Sequence, residues 1–154
     1  MTRSNLAEAG LEMEAGGTNW SALAPRFRRV QTDGRLHAWE WLVTDEGQLL
    51  KADALDHCRA HDLVGAQDIA WDIAGAEVEF GLSGDEARAV RGRVERISGR
   101  RVDEELLRVM QIAYAAFQLG WWRMAAESAW GEDRARAARK AERYLSLARE
   151  ICGR

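Results

Sequence analysis

The spacing of apolar residues predicts a short β-like part followed by a longer helical part. Two apolar runs, at residues 41–43 and 49–52, flank a polar turn in which Gly47 can adopt a positive φ, so residues 41–52 are predicted to form a β-hairpin. Beyond it, apolar positions recur with helical spacing and predict helices at about residues 68–80, 83–97, 103–130 and 132–151. The predicted fold is α+β and predominantly α, with a small hairpin followed by a bundle of about four helices.

Local capping signals support these boundaries. Ser83 and Glu86 have the spacing of a capping box at the start of the second helix, and Asp68 is placed to cap the first. In the last helix, the inward positions are predicted to be Ala138, Ala141, Leu145 and Ala148. Residues 1–29 have weak periodicity and are interpreted as a leader that is weakly ordered or forms a short helix, whereas residues 30–154 are interpreted as the domain.

Composition narrows the class of protein. The chain has 154 residues, of which 47% are hydrophobic and 31% charged, and a single proline, as expected for a globular, helix-rich domain. The net charge of −3 does not indicate a nucleic-acid or membrane partner, and the two distant cysteines do not indicate a zinc ribbon or a disulfide framework. No signal peptide or membrane-spanning run is evident, so a cytoplasmic location is expected.

Residues 33–76 carry the most informative pattern. Leu36-His37 is followed by Glu40, by Asp53 after the predicted hairpin, and by Asp72-Ile73-Ala74 at the start of a buried helix. This order resembles the C-terminal lobe of the kinase-like phosphotransferases, which include aminoglycoside phosphotransferases and choline and homoserine kinases. In that family a His-Gly-Asp-Leu-His-x-x-Asn loop precedes a hairpin, a metal-binding Asp and a Gly-Asp-x-x-x-Asp-Leu-Ala segment.

The resemblance implies roles for the matched residues. Glu40 and Asp53 would hold Mg²⁺ against the phosphates of ATP, because both supply the oxygen ligands that this ion prefers. His37 would contact a phosphate or hydroxyl group, or it would stabilise the loop. Asp72 would play a structural part by accepting backbone N–H bonds from the loop around residues 35–38, and Asp68 would be a helix N-cap.

Two departures from the family pattern change this picture. Arg35 stands at the position of the catalytic Asp, and a guanidinium cannot accept a proton, although Asp33 lies two residues away. The first 30 residues also contain neither a Gly-rich phosphate loop nor a strand lysine, so the N-terminal lobe is missing. The chain is therefore interpreted as a degenerate or partial lobe, inactive alone, either a fragment of a longer protein or a descendant with another use. If active, it would transfer phosphate from ATP to a small hydroxylated substrate.

Other interpretations remain open from the sequence alone. The alternative interpretation of Glu40 and Asp53 is that they are hairpin-edge carboxylates in water. His57 and His61 are four residues apart and raise the hypothesis of a metal-dependent hydrolase, but the motif is weak and zinc is not favoured. The main alternative function is a helical interaction module or homo-oligomer without catalysis. In it, Trp39 and Trp122 would be exposed to a partner chain or missing lobe, whereas Trp41, Trp71 and Trp121 would pack in the core.

Overall fold

The computed structural model describes residues 2–11, 20–52, 59 and 64–153. Most of these residues are helical, and the strands form a two-stranded antiparallel sheet, so the predicted fold class is confirmed. Short 3₁₀ helices cover Ala24–Arg26 and Ala38–Glu40. The remaining elements, in chain order, are α1 (Thr2–Glu8), α2 (Trp20–Leu23), β1 (Trp41–Val43), β2 (Leu49–Lys51), α3 (Ala70–Phe80), α4 (Gly84–Ser98), α5 (Glu104–Ser128) and α6 (Gly131–Cys152).

The hairpin has the predicted turn. Leu42 pairs with Leu50, and the turn closes through the Thr44 N–H, which donates to the Gln48 carbonyl at 2.9 Å. Gly47 adopts φ 76°, a left-handed conformation that L side chains rarely take. The ladder continues past the last strand residue, since the Ala52 N–H donates to the Glu40 carbonyl at 2.8 Å. The hairpin therefore begins directly at Glu40.

The start of α4 confirms the predicted capping box. The Ser83 side chain accepts the Glu86 N–H, and the Glu86 carboxylate accepts the Ser83 N–H at 2.8 Å. The N–H groups at the start of a helix have no partner within the helix, and a capping box supplies acceptors for two of them. The α4 boundary therefore follows from local sequence alone.

The described chain divides into two compact units. The central unit is Ser21–Met110, and the terminal unit joins Met1–Trp20 with Gln111–Arg154, so that α5 contributes to both. In the central unit, the buried apolar residues come chiefly from one side of α3 and from the first turns of α5. They include Ala70, Trp71, Ile73, Ala74, Val78, Leu106, Leu107, Val109 and Met110.

The terminal unit contains only helices and the short turns beside them in its described residues. Its α1 is attached to α5 by Asn5, whose side-chain N–H donates to the Ala116 carbonyl at 2.8 Å. Gly120 makes this approach possible, because a Cβ at that position would lie 2.2 Å from Asn5 Nδ2. The buried residues of α6 are Ala137, Ala141, Tyr144, Leu145, Ala148 and Ile151.

One predicted inward position of the last helix is wrong. Ala138 is exposed, and Ala137 is buried in its place. Tyr144 and Ile151 are seven residues apart, which is about two helical turns, and so they share the buried face of α6. Ala137 lies a further seven residues before Tyr144 and therefore falls on the same face. Among the described helices, none is both long enough and apolar enough to cross a membrane.

Candidate functional site

Four charged side chains meet at the base of the hairpin and form the hairpin-base cluster: Asp33, Arg35, Glu40 and Lys51. Lys51 Nζ lies 2.9 Å from Asp33 Oδ2 and 3.1 Å from Glu40 Oε2. Arg35 Nε lies 2.8 Å from the other Glu40 oxygen, Oε1. Each Glu40 oxygen therefore has its own cationic partner.

Burial explains why this cluster needs cations. The Lys51 side chain is only 9% exposed and that of Glu40 only 10%, so solvent cannot screen either charge well. An isolated charge in such an environment is costly, whereas two carboxylates with two cations are formally neutral. Lys51 lies at the end of β2 and Glu40 at the end of the 3₁₀ helix before β1, so the hairpin register brings them together.

Asp72 fixes the loop that carries two members of the cluster. Its Oδ2 accepts the Asp33 N–H and its Oδ1 accepts the Gly34 N–H, each at 2.8 Å. The neighbouring Trp71 donates its indole N–H to the Gly34 carbonyl at 3.3 Å. These bonds lie just before the loop around residues 35–38 that the sequence suggests as the Asp72 partner.

The charge state of Asp72 reflects two opposing effects. Burial raises the pKa of its carboxyl group, while the N–H bonds from Gly34 and Asp33 lower it. The pKa is raised overall, so desolvation outweighs the hydrogen bonds. Asp72 therefore holds the loop at an electrostatic cost when it is ionised.

His37 contacts Glu79 on α3 and not the charged side chains of the hairpin-base cluster. Its Nδ1 lies 3.2 Å from Glu79 Oε1, and both side chains are buried. The imidazole also stacks on Trp39, with 4.2 Å between ring centroids and an interplanar angle of 17°. The ring is thus held between α3 and the 3₁₀ helix, which agrees with a loop-stabilising position.

Of the two residues predicted to hold Mg²⁺, the structure describes Glu40 but not Asp53. Both oxygens of Glu40 are engaged by Arg35 and Lys51, so Glu40 as placed does not fit a metal-ligand role. Asp53 lies outside the described residues, as do His57 and His61. Within the described part of the chain, no three His, Cys, Asp or Glu residues are grouped as a metal site would require. The magnesium and zinc hypotheses remain predictions.

Asp68 lies one residue before Ile69, which is the N-cap residue of α3 and makes no capping bond through its own side chain. Asp68 Oδ1 accepts the Ala70 N–H at 3.0 Å, and Asp68 Oδ2 accepts the Arg28 N–H at 2.9 Å. The second bond attaches the extended segment after the first 3₁₀ helix to the start of α3. Asp68 therefore has a structural position away from the hairpin-base cluster.

The tryptophans differ in their environment. Trp71 is buried, and Trp41 and Trp121 are partly buried. Trp39 is 50% exposed, whereas Trp122 is partly covered by Lys140, whose Nζ lies 4.9 Å from the indole centroid. Of the two tryptophans expected on a partner surface, Trp39 has the more exposed side chain.

Lys51 and Glu79 are site residues that sequence reasoning missed. Each carries a weak signal: Lys51 is one of only two lysines in the chain, and Glu79 lies seven residues after Asp72 on the same side of a helix. Neither signal identifies a partner, because the residues that they contact depend on the tertiary fold.

No family model matches this chain, and neither the curated proteins nor the solved structures contain a significant match.

Proposed function

We propose that the chain is a kinase-like phosphotransferase C-terminal lobe that is catalytically inactive on its own. The observation that carries the proposal is the Asp72 carboxylate, which holds Asp33 and Gly34 directly before the hairpin. The order of a loop, a hairpin and a helix whose carboxylate binds back to that loop supports the resemblance found in the sequence. The hairpin-base cluster is then the altered remnant of a metal and base site.

The charges in the cluster explain why activity is not expected. Phosphoryl transfer needs a carboxylate to orient the acceptor hydroxyl and oxygen ligands for Mg²⁺. Arg35 cannot accept a proton, and Asp33 is paired with Lys51. Lys51 supplies positive charge beside Glu40, in the region where the resemblance would place the metal ion. We therefore propose that an attached ammonium group replaces the divalent cation.

This replacement can be tested by removing the ammonium group. In Lys51→Met, Asp33 and Glu40 would lose their shared cation, and added Mg²⁺ is expected to raise the thermal midpoint of the variant. The wild type should show no such rise. Adding Asp53→Ala to Lys51→Met should abolish the rise, while adding Asp45→Ala, at the hairpin tip, should not. If Mg²⁺ has the same effect on wild type and Lys51→Met, the proposed replacement is wrong.

Inactivity is tested separately. An assay of ATP consumption by the wild type with small polyols and amino alcohols should give no signal above buffer. Phosphate transfer by the purified chain would contradict the proposed inactivity while leaving the kinase-like fold in place.

A second candidate function, self-association, is favoured by the hairpin surface. Leu42, Val43, Leu49 and Leu50 form two cross-strand pairs, and their side chains are between 50% and 71% exposed. A two-stranded sheet is marginally stable alone, and its outer edges offer backbone groups for a further strand. We propose a second copy of this chain as the occupant, since two identical hairpins can pair antiparallel at an open strand edge and place their apolar side chains next to each other in the joined sheet.

Light scattering coupled to size exclusion tests this association. The wild type should form a dimer as its concentration is raised, and Leu42→Thr/Leu50→Thr should remain monomeric. Ile97→Thr is the matched control, because Ile97 is a 74% exposed apolar residue at the end of α4, outside the hairpin. A wild type that stays monomeric at all concentrations would refute the proposal.

A further inference from the structure

A groove of about 780 Å³ opens in the central unit, and none of its lining residues belongs to the hairpin-base cluster. It is formed by the segment around residues 25–31, the start of α3 and the connection between α4 and α5. Its volume falls within the range of about 300–1,000 Å³ typical of small-molecule sites. We name it the arginine groove, after the lining residues Arg26, Arg28, Arg100 and Arg101.

The arginine groove is positively charged although the chain is acidic overall. Four arginines and two aspartates line it, which gives 4 − 2 = +2, against −3 for the whole chain. In the sequence the arginines are dispersed and suggest no binding surface. The fold brings Arg28 together with Arg100 and Arg101, some 70 residues later in the chain.

Both aspartates in the groove already have partners. Asp68 accepts the backbone N–H groups of Arg28 and Ala70. Asp103 accepts the Leu106 N–H at 3.0 Å and the Arg26 Nε–H at 2.7 Å. The Arg26 guanidinium holds the pKa of Asp103 below its usual range, so this carboxylate is ionised and neutralises Arg26.

Against the other three arginines stands only the charge of Asp68, which leaves 3 − 1 = +2 in the groove. Arg28, Arg100 and Arg101 are exposed, and none of them forms an ion pair with an acidic residue in the described part of the chain. A guanidinium presents a planar fork of N–H donors that matches the oxygens of a phosphate group. Three such forks beside one groove form a site for a dianion.

The groove also has an apolar part. Val30, Ile69 and Leu106 line it beside the arginines, and the backbone there is fixed by the Val30 N–H, which donates to the Gln67 carbonyl at 2.9 Å. Inorganic phosphate would leave this apolar surface uncovered, whereas an organic substituent would remove it from water.

We propose that the arginine groove binds a small organic phosphate monoester, with its phosphate on Arg28, Arg100 and Arg101 and its organic part against Val30, Ile69 and Leu106. Binding involves no covalent step. The inference does not rest on the proposed kinase-like lobe, because none of its residues belongs to the hairpin-base cluster.

The test is a titration of the full chain with phenyl phosphate, followed by ¹⁵N–¹H spectra and calorimetry at constant ionic strength. Resonances of groove residues should shift, and phenyl phosphate should bind more tightly than inorganic phosphate. Arg100→Gln and Arg101→Gln should each weaken binding by about tenfold or more, the loss expected for one charged hydrogen bond.

Arg93→Gln is the matched control, because Arg93 is an exposed arginine on α4 that does not line the groove. Its affinity for phenyl phosphate should equal that of the wild type. Equal weakening in the control and groove variants would mean general charge attraction and would overturn the proposal, as would an absence of binding. Since Arg100 and Arg101 are exposed, their substitution should leave the unfolding midpoint unchanged, and the far-ultraviolet circular dichroism of each variant verifies this.

Discussion

Replacing Asp72 is the most direct test of the bonds that hold the loop before the hairpin. In Asp72→Ala, the N–H groups of Asp33 and Gly34 both lose their acceptor. Leaving a buried donor unsatisfied costs about 1–3 kcal/mol, and this loop is partly buried, so the expected loss in the free energy of unfolding is about 2–4 kcal/mol. Asp72→Asn keeps one acceptor oxygen and should lose about 1 kcal/mol.

The pH dependence adds a second, independent measurement. The pKa of Asp72 is raised by burial above its ordinary value of 3.8, so its stabilising contribution is complete below that value and is lost as the pH rises through the folded-state pKa. Asp72→Asn does not titrate at this position. The stability difference between wild type and Asp72→Asn should therefore shrink as the pH rises above 3.8.

Urea titrations followed by tryptophan fluorescence measure both effects. Asp133→Ala is the control, since that aspartate is an exposed residue whose ion pair with Arg136 should contribute about 1 kcal/mol or less. If Asp72→Ala is no more damaging than the control, the carboxylate does not hold the loop. A stability difference that grows with pH would mean that the N–H bonds outweigh desolvation, the opposite of the expected balance.

Three further substitutions test separate parts of the fold by urea denaturation. Lys51→Met should cost about 2–4 kcal/mol, because it removes the cation that Asp33 and Glu40 share and leaves only Arg35 beside Glu40. Adding Glu40→Gln should recover part of that loss, and a fully additive double variant would contradict the pairing. Gly120→Ala should cost about 1–3 kcal/mol, because the added methyl group would displace Asn5. Amide hydrogen exchange in α1 should then become faster, and unchanged exchange would show that α1 is not attached there. Ser83→Ala should cost about 1 kcal/mol and Ser83→Asp much less, with equal losses in the two variants counting against the cap.

Local features of this fold are predictable from the sequence, and pairings between distant residues are not. The Ser83 cap and the Gly47 turn depend on neighbours within a few residues, so their sequence signals are sufficient. The hairpin position follows from two apolar runs and from the turn residues between them. One error, Ala138 for Ala137, arises because several small residues in α6 fit more than one helix rotation.

The candidate site shows the same distinction more strongly. Glu40 and Arg35 are recognisable as site positions, but whether Glu40 ligates a metal or pairs with a lysine depends on the hairpin register. The contact of His37 with Glu79 joins residues 42 positions apart. Sequence spacing alone does not distinguish such a partner from the other acids of the chain.

The burial of Lys51 also determines how the protein responds to amine-reactive reagents. The sequence contains one other lysine, Lys140, which lies over Trp122 on the terminal unit. Acylation requires an accessible amine, and the Lys51 amine is buried against its two carboxylates. Modification at Lys51 would therefore proceed through transient opening of the hairpin base. Its rate relative to that at Lys140 reports how often the loop and the hairpin separate.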